Sequence, residues 1–409
     1  MRRRWSWHLG LGRELGNIFW AMIGVEAAFG AYMGIWPLWI EALGAPVAIV
    51  GLVLGSSGFL RLATLAPSAA LAERFGTRRL IILARSVAGL GMLSAALATH
   101  WTQLFIMVAG AAVGELAFPL TQAHVSAHAG AQRVRAFTLV FNVGPSVAFG
   151  LSPLIAGALV AAYGMRAAFV FAAGCTALSI VFFSRIAPTP VPAATAPGAA
   201  PAPRSTYRET LADRPVRTLV TLQFVTIFVM ALGLSFVPNF LADQRGLAPA
   251  TITALGAAGA FGSFLFGLAV TRVVRLQRAP FAGIALATIF VATTLTTFAT
   301  AHAFWLIALA FFPRGGFFSA WSLFVAALGD IVDERHRGRS FALSEMLGGA
   351  AYSFAPILAG ALYTVRPVFP LVTSVAAIAC LLPILLRAQR GMTDRRTRLA
   401  VAQVEAEPA

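Results

Sequence analysis

Apolar residues occur along this chain in long blocks, not in alternation with polar ones. Twelve blocks can be marked: 17–40, 47–71, 80–99, 102–123, 137–161, 167–184, 218–241, 251–271, 279–299, 304–328, 341–363 and 367–386. A helix that crosses a bilayer needs about 20 mainly apolar residues, and each block is close to that length. No segment alternates apolar and polar residues for long enough to form a barrel strand. The pattern therefore predicts an all-α polytopic membrane protein with twelve transmembrane helices.

Composition narrows the picture further. Of the 409 residues, 59% belong to the set AVILMFWYC and 11% are Asp, Glu, Lys or Arg. A soluble domain carries roughly 25% charged residues, so this chain lacks the material for a water-facing surface. Soluble enzymes, disordered chains and fibrous proteins are excluded. Cys175 and Cys380 both fall inside apolar blocks, which excludes a disulfide framework and a Cys-rich metal site.

The formal charge of +16 would point to nucleic acid in a soluble protein. Here it reads as topology. All 31 basic residues are Arg. Arg61, Arg85 and Arg314 lie inside blocks. Arg166, Arg245 and Arg366 lie in the odd-numbered connections. The other 25 lie at the termini and in the even-numbered connections. Arginine-rich loops stay in the cytoplasm, so both termini are expected there. The first block is long enough to span and is expected to be an uncleaved first helix. The expected location is a bacterial inner membrane.

The longest connection, 185–217, opens with "APTPVPAATAPGAAPAP", a composition for an extended linker. It continues with "RSTYRETLADRPVR", which can form a short interfacial helix. The expected organisation is a six-helix bundle over 1–186, a cytoplasmic linker over 187–217, a second bundle over 218–388 and a cytoplasmic tail over 389–409. The two bundles look like repeats. Arg133, Arg135, Phe137 and Leu139 match Arg337, Arg339, Phe341 and Leu343, each 204 residues on. "SPLIAGAL" at 152–159 matches "APILAGAL" at 355–362, a spacing of 203. Pro37 and Pro46 fall over Pro238 and Pro249. Duplicated six-helix halves are a transporter architecture, with the substrate site where the repeats meet.

The segment "ALAERFGTRR", Ala70 to Arg79, resembles the signature between helices 2 and 3 of the major facilitator superfamily, roughly G-x-L-A-D-R-x-G-R-R. Leu71, Ala72, Arg74, Phe75, Gly76, Arg78 and Arg79 fit it. Glu73 replaces the usual Asp, Ala69 the usual Gly, and Thr77 a basic residue. Gly76 permits a tight turn, and Glu73 can hold a cation or a helix N-terminus. The resemblance implies two pseudo-symmetric six-helix bundles and a loop that latches the cytoplasmic side when the protein opens outward. The stretch from Pro37 to Arg79 is most similar to the branch with lactose-permease-like and phenylpropionate-permease-like proteins. In the family, helices 1, 4, 7 and 10 line a central cavity.

Charges inside the blocks are the candidate chemistry. A charge deep in a bilayer is expensive, so it is normally paired or faces a cavity. At 1.5 Å per residue, Glu26 lies about 14 Å from the cytoplasmic end of its block, Arg61 about 15 Å, Glu115 about 12 Å and Arg314 about 21 Å. Glu26 and Glu115 are the proton-coupling candidates. Arg314 and Arg61 are candidates for an anionic substrate group, because a guanidinium fork matches a carboxylate or phosphate. Arg61 is also the expected internal counter-ion of the two acids. The competing reading is that the acids and arginines only neutralise each other. Arg85 and Glu345 lie nearer the cytoplasmic ends. Arg85 can snorkel and Glu345 can meet loop arginines, so gating or structural pairing is expected of both.

Aromatic and Met residues surround these positions. Phe19, Met22, Phe29, Met33 and Trp36 share the Glu26 face of the first block. Phe118 follows Glu115, and Phe311, Phe318 and Trp321 flank Arg314 at helical spacing. Phe29, Met33, Phe118, Phe311, Phe318 and Trp321 are the substrate-binding candidates, suited to an apolar body with one polar group. Trp36, Trp39 and Trp101 fit an interfacial belt. Small residues around Pro153 and Pro356 occur in both halves, which fits close helix packing better than a direction of transport. His124 and His128 are four apart, but no further ligand is visible near them, so they are read as loop histidines and no metal is expected. No Walker A pattern, H-E-x-x-H or nucleophile–base constellation is found, so neither an ATP-driven pump nor an enzyme is expected. The expected function is a secondary transporter of a small organic molecule, with protons, the lipid bilayer and substrate as partners. It is expected to be a monomer without cofactor or nucleic acid. The alternatives are drug/proton antiport and a transporter-like membrane sensor.

Overall fold

A computed structural model describes residues 7–65, 68–188, 207–273, 279–332 and 337–406 of the chain. Within these, the side chains of Arg61, Glu73 and Arg133 and those beyond residue 390 are outside the description. So is the proline-rich part of the linker from residue 189. Every regular element among the described residues is helical. Among the described residues, ten helices are long and apolar enough to cross a membrane. An eleventh span is a bent pair, Arg13–Met33 and Trp36–Ala42, with a 51° turn, and Val47–Leu60 is a shorter apolar helix. Each expected block coincides with one of these.

We number the spans as α1 (Arg13–Met33 with Trp36–Ala42), α2 (Val47–Leu65), α3 (Thr77–Leu97), α4 (Trp101–His128), α5 (Arg135–Tyr163) and α6 (Arg166–Phe183). The second set is α7 (Arg214–Arg245), α8 (Pro249–Arg272), α9 (Pro280–Thr300), α10 (Phe304–Gly329), α11 (Arg337–Val365) and α12 (Phe369–Ala406). A short helix, Tyr207–Ala212, precedes α7, where the interfacial helix was expected. The tail after residue 388 continues α12 as helix.

Among the described residues, regular helix is interrupted within α1, α4, α7 and α10. It stops at Met33, Gly114, Leu234 and Ala310 and resumes within a few residues. A proline explains each break. Pro37, Pro119, Pro238 and Pro313 have no N–H to offer the carbonyl four residues back, and the ring crowds that carbonyl. In α4 the chain compensates locally, with the Phe118 N–H donating to the Glu115 carbonyl over 3.1 Å. In α10 a 3-10 turn, Pro313–Gly315, fills the gap. Non-helical backbone at membrane depth persists only where protein or a water-filled cavity satisfies it.

The contacts divide the chain into two compact units, Met1–Ala202 with Pro238–Ala260, and Pro203–Val237 with Phe261–Ala409. Each has the same internal plan. In the first, α1 packs on α5 and α6, and α3 on α4 and α6. In the second, α7 packs on α11 and α12, and α9 on α10 and α12. An apolar core cluster in each unit also corresponds. Ile18, Met22, Ile81, Val125, Val140 and Phe183 form one, and Val220, Ile284, Phe324, Leu328 and Leu385 the other. Both lie at the end of the spans nearest the termini and the even-numbered connections. Close helix approach depends on glycine. A Cβ on Gly30 of α1 would sit against Ser152 Oγ and 2.9 Å from the Phe149 carbonyl of α5. Gly157, in the repeated Pro-and-small-residue segment, packs as closely on Ala250 and Ala254.

Candidate functional site

The first unit gathers three charged side chains around the α4 break. Glu115 sits at that break, where Gly114 ends the preceding helix. Glu26 comes from α1 and Arg85 from α3. The Arg85 guanidinium interacts electrostatically with Glu115, Glu26 and the Tyr32 hydroxyl. Arg85 is only 8% exposed, so the expectation that it snorkels is corrected. The helix face it occupies turns it into the bundle. Arg61, the expected counter-ion, lies on α2 with its side chain outside the description; among the described side chains Arg85 meets both acids.

Arg314 occupies the break of α10, the helix of the second unit that corresponds to α4, in its 3-10 turn. It lies 199 residues after Glu115, one helical turn short of the repeat spacing. The breaks themselves are offset by more, since Pro313 lies 194 residues after Pro119, but each of these two corresponding helices carries a charge at its break, of opposite sign. The Arg314 guanidinium lies 5.7 Å from the Phe311 ring centroid, and Tyr352 of α11 is its electrostatic neighbour. The Tyr352 ring is 6.1 Å from Phe317. The aromatic partner was legible from spacing, whereas Tyr352 was not.

A second polar cluster in this unit was not expected. Ser344 Oγ of α11 donates to Gln223 Oε1 of α7 over 2.6 Å. Gln223 is fully buried, and its Nε2 has no partner among the described residues. Trp321 Nε1 donates to Glu345 Oε1 over 3.3 Å, so Glu345 faces α10. A Cβ on Gly348 would lie 2.8 Å from the Trp321 ring and 3.2 Å from Gln223 Nε2. Gln223, Trp321 and Gly348 therefore converge. An amide one and a half turns into the 218–241 block was the available signal for this cluster.

The aromatic candidates separate by exposure. Phe311 is fully buried and packs on Phe298 at 5.1 Å, so it belongs to the core and not to an open lining. Phe118 packs on Phe141 at the edge of the first core, and Phe19 and Met22 lie within that core. Phe29 and Phe318 are exposed, while Met33 and Trp321 are half-buried. The helical face read from spacing was too wide, because α1 is covered by α5 and α6 over much of it. Trp39 is another correction. It is buried, donates its indole N–H to the Ala95 carbonyl over 3.0 Å, and carries Arg166 over its ring, so it is not an interfacial belt residue.

In the loop motif, Gly76 has φ +81°, a left-handed turn that favours glycine, between the helix Ser68–Phe75 and α3. Arg78 Nη2 donates to the Ser184 carbonyl at the end of α6. Arg74 lies over Phe75, Arg79 is exposed, and the Glu73 side chain is outside the description. At the opposite end of the first unit, Asn239 Nδ2 donates to Glu41 Oε2. His124 is also reassigned. It is a buried helical residue paired with Glu14, not a loop histidine.

The comparisons agree with this architecture. The family model described as Major Facilitator Superfamily matches residues 18–318, about three quarters of the chain. The chain belongs to the Major Facilitator Superfamily and is an integral membrane protein of a transporter family. Among solved structures, a single-residue mutant of the nucleoside transporter NupG superposes with a TM-score of 0.77 at 12% identity, over 92% of this chain and 100% of that one. The human organic anion transporter MFSD10 (TETRAN) gives 0.62 at 13% identity, over 91% and 99%. The peptide transporter POT in complex with sulfate gives 0.70 at 15%, over 92% and 95%. No curated protein matches the sequence.

Proposed function

We propose that the protein is a proton-coupled secondary transporter that moves a small organic anion with an apolar body by alternating access. The observation that carries this reading is the pair of proline-made breaks, with Glu115 on α4 and Arg314 on α10. A broken helix offers unpaired backbone groups and a charged side chain at one depth, which is how transporters of this architecture build ion and substrate sites. Glu26 and Glu115, sharing Arg85, are the proposed proton carriers. Arg314, whose electrostatic neighbour among the described residues is a phenol and not a carboxylate, is the proposed anchor for the substrate's acid group. Phe29, Met33, Phe318 and Trp321 would meet the apolar body, with Arg61 in a lesser role. The proposed layout keeps bundles at 1–186 and 218–388, with the termini, the linker 187–217 and the Gly76 loop cytoplasmic.

Solute counterflow in proteoliposomes tests the substrate class. A panel of carboxylates and their neutral amides is presented to the wild type and to Arg314→Lys, which keeps the charge and loses the fork. The variant is expected to weaken carboxylate transport by at least about tenfold, equivalent to about 1.4 kcal/mol. Equal transport of both classes, with Arg314→Lys indifferent, would replace this reading with proton-driven export of amphipathic compounds.

A further inference from the structure

Glu14, His124 and the chain leaving α6 meet at a node that the transport reading does not use. His124 Nε2 lies 2.7 Å from Glu14 Oε1, and the Ala187 N–H donates to the same oxygen over 2.8 Å. His128 stands one helical turn beyond His124, and the two rings stack 4.1 Å apart with a 17° tilt. His128 Nδ1 is 2.9 Å from the His124 carbonyl. A carbonyl only accepts, so Nδ1 carries the proton and the neutral ring keeps its lone pair on Nε2. Metal-binding imidazoles are typically held in this way, with the second nitrogen tied to a carbonyl or carboxylate. The three side chains offer ligand atoms that all lie within 4.8 Å of one another.

We propose that Glu14, His124 and His128 bind one divalent transition-metal ion of the zinc class, with water completing its coordination. Zinc holds imidazole nitrogen and carboxylate oxygen at about 2.0–2.2 Å, which sets tetrahedral ligands about 3.3 Å apart. The His124–Glu14 pair therefore opens by about 0.6 Å as the metal replaces the proton they share, and the exposed His128 ring turns out of the stack, because each imidazole lone pair lies in its own ring plane. His124 is buried, Glu14 is partly exposed and His128 is exposed, so the node is reached from one side. Arginines crowd this end of the unit, including Arg135, which donates to the Leu9 carbonyl. They oppose a hard ion held by charge alone, such as Mg²⁺ or Ca²⁺. Two imidazoles select zinc, nickel or copper instead. The bound ion would brace the start of α1 and the end of α4, with Glu14 also holding the chain after α6.

The test uses the full-length protein purified without a polyhistidine tag and titrated with Zn²⁺ against a chromophoric chelator. One zinc per chain is expected, undisturbed by millimolar Mg²⁺. His128→Ala, at an exposed position, is expected to weaken binding by at least about tenfold, and Glu14→Gln likewise, while His100→Ala leaves it unchanged. Absence of zinc binding by the wild type would overturn the proposal. So would unchanged affinity in His128→Ala, or displacement of zinc by Mg²⁺. Because Glu14 also holds the Ala187 N–H, a poorly folded Glu14→Gln leaves His128→Ala as the deciding variant.

Discussion

Arg85→Met removes the cation from the charge cluster of the first unit and keeps a side chain of similar length. Arg85 is buried and serves both Glu26 and Glu115, which are only half-buried. Two unit charges about 5 Å apart at an effective dielectric of about 20 attract by about 3 kcal/mol. Removing one member of such a buried set costs about 3–5 kcal/mol, because the remaining carboxylates lose their partner. Pairing Arg85→Met with Glu115→Gln removes part of that conflict. The double variant is therefore expected to lose at least about 1.5 kcal/mol less than the two single losses added together. Denaturant unfolding in mixed micelles, followed by tryptophan fluorescence, measures all four states of this cycle. Additivity within about 0.5 kcal/mol would refute the pairing. Coupling of Glu115→Gln to Arg61→Met, with none to Arg85→Met, would restore Arg61 as the counter-ion.

Glu26→Gln and Glu115→Gln keep shape and remove titration. One of them is expected to lose proton-driven accumulation in proteoliposomes while retaining substrate exchange, and normal accumulation by both would leave the cluster purely structural. Gly30→Val places a side chain against Ser152 and the Phe149 carbonyl. It is expected to cost about 1–3 kcal/mol in the same unfolding assay, and a neutral result would show that α1 and α5 can separate freely. Accessibility tags inserted at 195–200 and at the C-terminus are expected to report the cytoplasm, and one near Asp243 the other side; the reverse pattern would invert the proposed orientation.

Much of the architecture was legible in the chain. The twelve apolar blocks recur as apolar helices, ten of them among the described residues long enough to cross a membrane, because a helix is the one open-ended way to satisfy backbone groups in hydrocarbon, and hydropathy reports that directly. The doubled spacing of 203–204 residues anticipated that α1 and α7, or α3 and α9, would make equivalent contacts. Gly76 was readable as a turn, and its positive φ agrees. The helix breaks were written in Pro37, Pro119, Pro238 and Pro313, a local signal that the apolar blocks masked.

Partnership was not legible. Depth along a block follows from counting residues, but the direction a side chain faces depends on which helix crosses behind it. That is why Arg85, read from sequence as a cytoplasmic-end residue, meets Glu26 and Glu115, and why Phe311 is core while Phe318 is exposed. Glu14 and His124 are 110 residues apart, and Gln223 and Ser344 are 121 apart. Sequence determined which segments lie in the membrane and where they bend, because those follow from local hydrophobicity and from the missing proline N–H. Only the packing of one span on another decided which polar groups share a site, since that contact energy belongs to pairs of residues that no local pattern connects.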